Sequence, residues 1–172
     1  GGQSLRTNME VSPELWNARV TRLMDAGFNF ADATTWANLD VRCSTRYLVI
    51  SAEEYRDAGF CVTDAIAWHM REIDSSTAAG FARGGWQPAS FDELHDTLRA
   101  ALNGLDKYGA MRQVFGALDW AISGISRPLV LLYIRAGVDL SEARKLEARR
   151  QAGEPIDDAI RFLAALCEPH HR

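Results

Sequence analysis

The chain has 172 residues, of which 47% are hydrophobic and 24% are charged, and its formal net charge at pH 7 is −4. This composition is typical of a globular protein and excludes an intrinsically disordered chain. The negative charge argues against a protein that coats nucleic acid or binds membranes through a polybasic surface, but it does not exclude a local basic patch. The length suits one domain or two small ones.

The cysteines and the hydropathy pattern predict a cytoplasmic protein. Cys43, Cys61 and Cys167 are widely spaced and odd in number, which favours reduced thiols over a disulfide framework. The longest apolar run, at 129–134, is far shorter than the roughly 18 residues of a membrane-spanning helix. We therefore expect no membrane partner. The excess of arginine over lysine and the abundance of alanine favour a bacterial or phage origin.

The first predicted element is a helix with a strong start signal. Residues 1–8 look like a vector-derived remnant, and we expect them to be disordered. Ser12, Pro13 and Glu14 then combine an N-cap, a proline at the first helical position and an acid in the first turn. The helix is predicted to run to Ala26.

A series of short helices is expected next. A second helix is predicted over 31–39. Residues 44–50 are ambiguous between strand and helix, and their length and surroundings favour a helix. The segment Ser51–Glu54 resembles a capping box and predicts a helix that begins there and ends at Gly59. Another helix is predicted over 63–73, with Thr63 as its N-cap.

The C-terminal half is also predicted to consist of short helices, which follow an irregular segment. Residues 75–90 are rich in Ser, Gly and Ala and predict an irregular linker. Ser90 and Glu93 resemble a capping box that begins a helix with a clean apolar stripe, ending at Gly104. Further helices are predicted over 106–123 and 126–136, and after Gly137 and Gly153.

These elements predict an all-α fold. About nine or ten short helices would form an irregular helical repeat or bundle, because no alternating strands are found. The predicted division is residues 1–8 as remnant, 9–74 as an N-terminal helical subdomain, 75–90 as the linker, 91–167 as a C-terminal helical subdomain and 168–172 as a tail.

The most informative feature is an eleven-residue pattern that occurs in four places. It begins with Ala-Gly. Counted from that glycine, an apolar residue stands at position +3, an acid at +5, an alanine at +6 and a large apolar residue at +9. A glycine just past a helix end adopts the left-handed conformation that pairs the last carbonyls. The acid falls in the first turn of the next helix, where it complements the helix dipole. The copies begin at Ala26, Ala58, Ala136 and Ala152, and a fifth start at Ala79-Gly80-Phe81 breaks off.

The pattern therefore predicts a joint between two short helices. In the third copy the spacing of Asp139 and Glu142 also fits a capping box. The alanine and the large apolar residue share one helix face, so each new helix is expected to pack on its neighbour. Scaffolds of stacked short helices commonly present surfaces or grooves that bind other proteins.

Two segments are candidates for protein binding. The loop made by Arg83, Gly84, Gly85 and Trp86 offers backbone amides, a cation and an aromatic ring to a ligand or peptide. The alternative is a plain interdomain loop with Trp86 turned inward. An acidic face is predicted to meet a basic partner, and its residues are Glu53, Glu54, Asp57, Asp64 and Glu72.

A basic cluster offers a different function. Arg144, Lys145, Arg149 and Arg150 lie on the helix after Gly137, where they could contact nucleic-acid phosphates. The alternative is a solvated helix face whose bases complement the helix C-terminus. Because the same glycine joint recurs in the acidic half, architecture explains it better than DNA recognition does.

Catalytic and metal sites have little support in the sequence. Cys61 and His69 lack zinc-ligand spacing. For the C-terminal residues Cys167, His170 and His171, a disordered terminus is a better interpretation than a metal-chelating tail. Phosphate-binding glycine motifs and recognisable catalytic triads are absent. We therefore expect no cofactor, no metal and no enzymatic activity. The favoured function is a regulatory or adaptor protein-protein interaction module, with a nucleic-acid-associated factor as the alternative and self-association left open.

Overall fold

The computed structural model describes residues 11–102 and 116–166. Within these ranges all regular secondary structure is helical, so the predicted all-α fold class is confirmed. The helices are α1 Pro13–Asp25, α2 Phe30–Ala37, α3 Thr45–Asp57, α4 Val62–Met70, α5 Ser75–Arg83, α6 Pro88–Leu102, α7 with 116–121 described, α8 Arg127–Arg135, α9 Leu140–Gln151 and α10 Asp157–Leu166.

The chain divides into two compact units, the first ending at Ala78 and the second beginning at Ala79. In the first unit α1 packs against α2 and α3, and α4 packs against the same two helices. Its core is built around the fully buried side chains of Leu23, Trp36 and Trp68. Large apolar side chains of this kind each contribute on the order of 1.5–3 kcal/mol when they leave water.

In the second unit α8 is the central element among those described. It packs against both α6 and α10. Val130 and Tyr133 on its inner face are fully buried, as is Leu94 of α6. The stacked rings of Trp120 and Tyr133, with centroids 6.5 Å apart, connect α7 to the same core.

The predicted glycine joints are confirmed, and Gly27 shows how they work. Gly27 has a φ of +99°, and its N–H donates to the carbonyl of Met24 at 3.0 Å. The next N–H, that of Phe28, donates to Leu23 at 3.1 Å. This pair of bonds is a Schellman motif, which satisfies carbonyls that the helix end leaves free. Phe28 is buried, and the Arg56 guanidinium of α3 lies over its ring, 4.6 Å from the centroid.

The same pair of hydrogen bonds closes six helix ends in the described residues, two more than the sequence pattern located. The left-handed positions are Gly27, Gly59, Glu72, Gly85, Gly137 and Gly153. Gly59, Glu72 and Gly85 are successively 13 residues apart. Since α4 and α5 each have nine residues, the structural unit here is one short helix plus a four-residue joint.

The alanine and large apolar positions of the pattern mostly face the core. Ala33 and Trp36 in the first copy, and Ala65 and Trp68 in the second, are at most 2% exposed. The copy at Gly153 is an exception, because Phe162 is 64% exposed. α10 begins four residues after its glycine, whereas α2, α4 and α9 begin three residues after theirs. One extra residue turns the pattern positions by roughly 100° around the helix axis, away from the core.

Residues 75–90 are not an irregular linker, and this prediction was wrong. They contain α5 and the start of α6, joined at Gly85. Ala78 and Phe81 of α5 are fully buried, at positions that correspond to the alanine and large apolar residue of the pattern counted from Glu72. Small residues by themselves favour a loop, but tertiary packing of this apolar pair stabilises the helix.

Three predicted helix starts were also wrong. Ser51 lies buried inside α3, which begins after Ser44, whose hydroxyl accepts from the Tyr47 N–H at 3.1 Å. The N-cap of α4 is Cys61 rather than Thr63, and it makes no side-chain capping bond. α6 begins at Pro88 because proline favours the first helical position. Asp139, by contrast, caps α9 as predicted.

One helix end is closed by a buried cation instead of a glycine. Arg19 of α1 is 1% exposed and donates to the carbonyls of Ala37, Leu39 and Val41 at 3.1, 2.8 and 3.0 Å. Its guanidinium thereby takes the place of a tight turn after α2. The predicted end of α6 at Gly104, the predicted helix start at 106 and the predicted segments 1–8 and 168–172 lie outside the described residues. No described helix combines the length and apolarity needed to cross a membrane.

Two glycine substitutions with opposite expected signs test the joint. Within the described part of the chain, an added Cβ meets no atom within 4 Å at either Gly59 or Gly116, so neither substitution clashes there. Gly59→Ala should destabilise the protein by about 1–2 kcal/mol because alanine is strained at positive φ. Gly116→Ala, inside a helix, should stabilise it by about 0.5–1 kcal/mol. Urea denaturation followed by circular dichroism measures both, and two changes of the same sign would contradict the assignment.

Candidate functional site

The first unit carries a groove of about 660 Å³ between α3 and α4. We name it the acidic groove. It is lined by Tyr47, Ile50, Ser51, Glu54 and Tyr55 of α3, by His69 and Met70 of α4, by Glu72, Ile73, Asp74 and Ser75 where α4 joins α5, and by Val41, Arg42 and Cys43 before α3.

The inner wall of the acidic groove is aromatic. The His69 ring packs edge-on against Trp36, with ring centroids 5.6 Å apart. Tyr55 also meets His69 edge-on at 6.4 Å, and Tyr47 lies at 6.3 Å in a tilted arrangement. Edge-to-face contacts of this kind add about 0.5–1.5 kcal/mol beyond area burial. They hold His69 in one orientation.

A buried hydroxyl fixes the end of the groove. The Tyr55 hydroxyl donates to the carbonyl of Ile73, which follows Glu72 in the joint. Burial raises the pKa of Tyr55 well above its usual range, with a further contribution from the carboxylate of Asp74. The phenol therefore remains protonated and keeps donating. Burial also lowers the pKa of His69, so the imidazole is held in its neutral form.

The outer part of the groove combines exposed apolar side chains with carboxylates. Tyr47, Ile50 and Met70 are 56%, 42% and 50% exposed. Glu54 and Glu72 line the same space, and neither forms an ion pair within the described part of the chain. The groove thus presents apolar surface bordered by negative charge that has no internal partner.

Glu72 has an unusual backbone conformation. Its φ is +58°, and among the described residues it is the one non-glycine residue with positive φ. A side chain in the left-handed region costs roughly 1–2 kcal/mol. Every other helix end closed by the same pair of hydrogen bonds has glycine at this position. The protein accepts the strain at the position that borders the groove.

The predicted acidic face is only partly assembled by the fold. Glu54 and Glu72 line the groove, but Glu53, Asp57 and Asp64 do not. Asp57 lies near Arg56 at 3.6 Å, and Asp64 occupies the first turn of α4, where it complements the helix dipole.

Sequence reasoning missed several lining residues. Asp74 and the exposed apolar residues Tyr47, Ile50 and Met70 were not identified as site residues. The available signal was the segment Glu72-Ile73-Asp74, which lies 13 residues after the joint at Gly59 and has glutamate in the place of glycine.

The predicted binding loop is a helix joint. Trp86 is 2% exposed and follows the left-handed Gly85, so its ring packs inward as the alternative interpretation expected. Gly84 approaches Ala121 so closely that an added Cβ would lie 2.0 Å from its carbonyl oxygen. Of the four predicted residues, Arg83 is the side chain left exposed.

Most of the predicted basic cluster is paired internally. The Arg149 guanidinium lies 2.7 Å from Glu154, and Lys145 lies 3.7 Å from Glu142. Arg150 donates to the 8%-exposed Glu147 and, as the main cause, holds the pKa of that carboxyl below its usual range. Arg144 forms no ion pair within the described residues.

The histidine and cysteine residues form no metal centre in the described ranges, where groups of three or more close ligand side chains are absent. The tail with Cys167, His170 and His171 lies outside those ranges. No protein-family model, curated protein or solved structure matches the chain.

Removal of one hydroxyl tests the end of the groove. Tyr55→Phe leaves the buried Ile73 carbonyl without its donor and should destabilise the protein by about 1–3 kcal/mol. Tyr47→Phe is the matched control, because the exposed Tyr47 hydroxyl makes no hydrogen bond in the described residues. Equal urea midpoints for the two variants would contradict the role given to Tyr55.

The neutral His69 predicts a pH dependence of stability. Its folded-state pKa lies below the unfolded value of 6.5, so the unfolded chain binds more protons as the pH falls through that window. Stability should be highest above pH 6.5 and fall below it, by at most about 1.4 kcal/mol per pH unit. Thermal unfolding between neutral pH and about pH 5 should show this fall in wild type and in Met70→Gln, but less in His69→Gln. Identical profiles for the two variants would refute it.

Proposed function

We propose that the chain is a non-enzymatic protein-protein interaction module whose acidic groove binds a basic amphipathic segment of a partner protein. The apolar residues Tyr47, Ile50 and Met70 would contact the apolar face of that segment. Glu54 and Glu72 would face its lysines or arginines. This is the helix-in-groove mode of recognition, in which apolar contacts supply affinity and charges supply orientation and rate.

The observation that carries the proposal is the strained Glu72. Strained backbone conformations tend to persist where function requires the residue. Glycine would close the same helix end with less strain, as it does at Gly59, 13 residues earlier. A glutamate at this position supplies a carboxylate at the edge of the groove at a cost in stability, which favours a binding role for that carboxylate.

The state of the groove histidine supports a binding role over catalysis. His69 and Cys43 both line the groove, but no hydrogen bond joins them in the described residues. An activated thiol needs a base within hydrogen-bond reach. The His69 ring is instead packed among Trp36, Tyr47 and Tyr55. For the nucleic-acid alternative, the ion pair of Arg150 with the mostly buried Glu147 removes one of its four cations.

Glu72→Gly is the sharpest test because it separates stability from binding. Relief of the left-handed strain should raise the free energy of unfolding by about 1 kcal/mol. Loss of the carboxylate should weaken binding several-fold at low salt. The probe is a fluorescein-labelled amphipathic peptide with lysines on one helical face and leucines on the other. Fluorescence anisotropy measures its affinity, and urea denaturation measures stability.

Two further variants complete the design. Glu72→Gln keeps the backbone strain but removes the charge, so it should weaken binding without the gain in stability. Asp57→Asn removes the same charge at an exposed position outside the groove and should bind like wild type. Equal weakening by Glu72→Gln and Asp57→Asn would show that only net charge matters and would overturn the proposal.

A further inference from the structure

The second unit carries a cavity of about 570 Å³ whose charge is opposite to that of the acidic groove. We name it the arginine cavity, and its principal lining residues are Arg127, Arg135, Arg161, Leu131, Leu132 and Trp86. Three arginines line it, and Glu93 is the single carboxylate among its lining residues. This local positive charge occurs in a chain whose net charge is −4.

The arginine cavity lies along one side of α8, at the edge of its buried face. Arg127, Leu131 and Arg135 are four residues apart, so they form one stripe along the helix. Leu131 is 8% exposed, and the neighbouring Val130 and Tyr133 are fully buried in the core. α8 packs against α6 and α10, and the latter supplies Arg161. Packed helices therefore hold the backbone of all three arginines.

The arginines are available to a ligand. Arg127 forms no ion pair within the described residues. Arg135 lies 3.7 Å from Glu93, and Arg161 lies 3.8 Å from the fully exposed Asp158. Ion pairs between exposed side chains contribute little stability, so a bound anion can replace them at low cost. Arginine is also the side chain best suited to bidentate contacts with carboxylates.

From this arrangement we infer that the arginine cavity binds an extended acidic peptide segment of a second partner. Arg127 and Arg135 are eight residues apart on one helix, which separates their backbone positions by about 12 Å. An extended peptide covers that distance in about four residues. The ligand therefore carries two acids about four positions apart, with an apolar side chain between them that contacts the half-buried Leu132.

The apolar centre of the cavity favours a peptide over a nucleic-acid strand. Leu131 and Leu132 lie on α8 between the two arginines of the stripe. A phosphate backbone gains nothing from aliphatic side chains, and sequence-tolerant binding of single strands instead uses stacking on exposed aromatic rings. Trp86 is the aromatic residue that lines the cavity, and it is 2% exposed.

The test uses the full chain and a short fluorescein-labelled peptide with two glutamates about four positions apart, flanking a leucine. Wild type should bind it at low salt, as measured by fluorescence anisotropy. The triple variant Arg127→Ser, Arg135→Ser and Arg161→Ser should lose at least about tenfold in affinity, as expected when several charge-assisted contacts are removed.

A matched triple variant removes the same charge elsewhere in the second unit. Arg83→Ser, Arg99→Ser and Arg144→Ser alter exposed arginines outside the cavity and should leave affinity within about twofold. Arg127→Glu is a single exposed change that keeps the test valid if the triple variant unfolds, and it should also weaken binding of the two-glutamate peptide.

Three outcomes would overturn the inference. One is the absence of peptide binding by wild type at low salt. The second is an equal loss in both triple variants, which would show only a dependence on net charge. The third is tighter binding of single-stranded oligothymidylate than of the peptide, lost in the cavity variant alone, which would assign the cavity to nucleic acid.

Discussion

The structure depends on how its helix ends are closed. A helix leaves four N–H groups and four carbonyls without internal partners, so in a nine-residue helix nearly half of the backbone groups are end groups. α4, α5 and α8 are of this length. Such helices are unstable alone and persist only where each end is paired and one face is buried. The left-handed joint meets both needs, because it pairs the last carbonyls and directs the following apolar residue into the core.

The exceptions to the glycine rule are the informative positions. At the end of α2 the buried Arg19 guanidinium donates hydrogen bonds to three carbonyls, so the chain can leave that helix without a tight turn. At Glu72 the tight turn is kept, but with a residue that fits it poorly. The first exception serves the core of the first unit. The second leaves a carboxylate without an ion pair among the described residues, which is why the proposed function starts from it.

Local chemistry made much of the fold predictable. The glycine at Gly27, the proline at Pro13 and the acid at Asp139 each act within a few residues of chain, so their roles could be read from sequence. The joint at Glu72 was not predicted because the pattern requires glycine at that position, although Ala78 and Phe81 after it match the pattern. The interval 75–90 was misjudged because small residues indicate a loop unless packing overrides them.

The sites were less predictable because they depend on contacts between elements. Exposed apolar residues such as Tyr47 and Met70 look like ordinary core positions until α3 and α4 are seen to leave them uncovered. Arg127 and Arg161 are 34 positions apart in the chain, and only the packing of α10 on α8 brings them to one cavity. Trp86 shows the converse, since its composition suggested a ligand contact and its position made it core.

The 13-residue spacing from Gly59 through Glu72 to Gly85 also bears on how such a chain can change its length. Because each module starts and ends at the same backbone conformation, gain or loss of a whole module joins equivalent ends. A single inserted residue instead turns the following helix, as the late start of α10 and the outward Phe162 illustrate. This architecture therefore tolerates the gain or loss of a whole module far better than the insertion of a single residue.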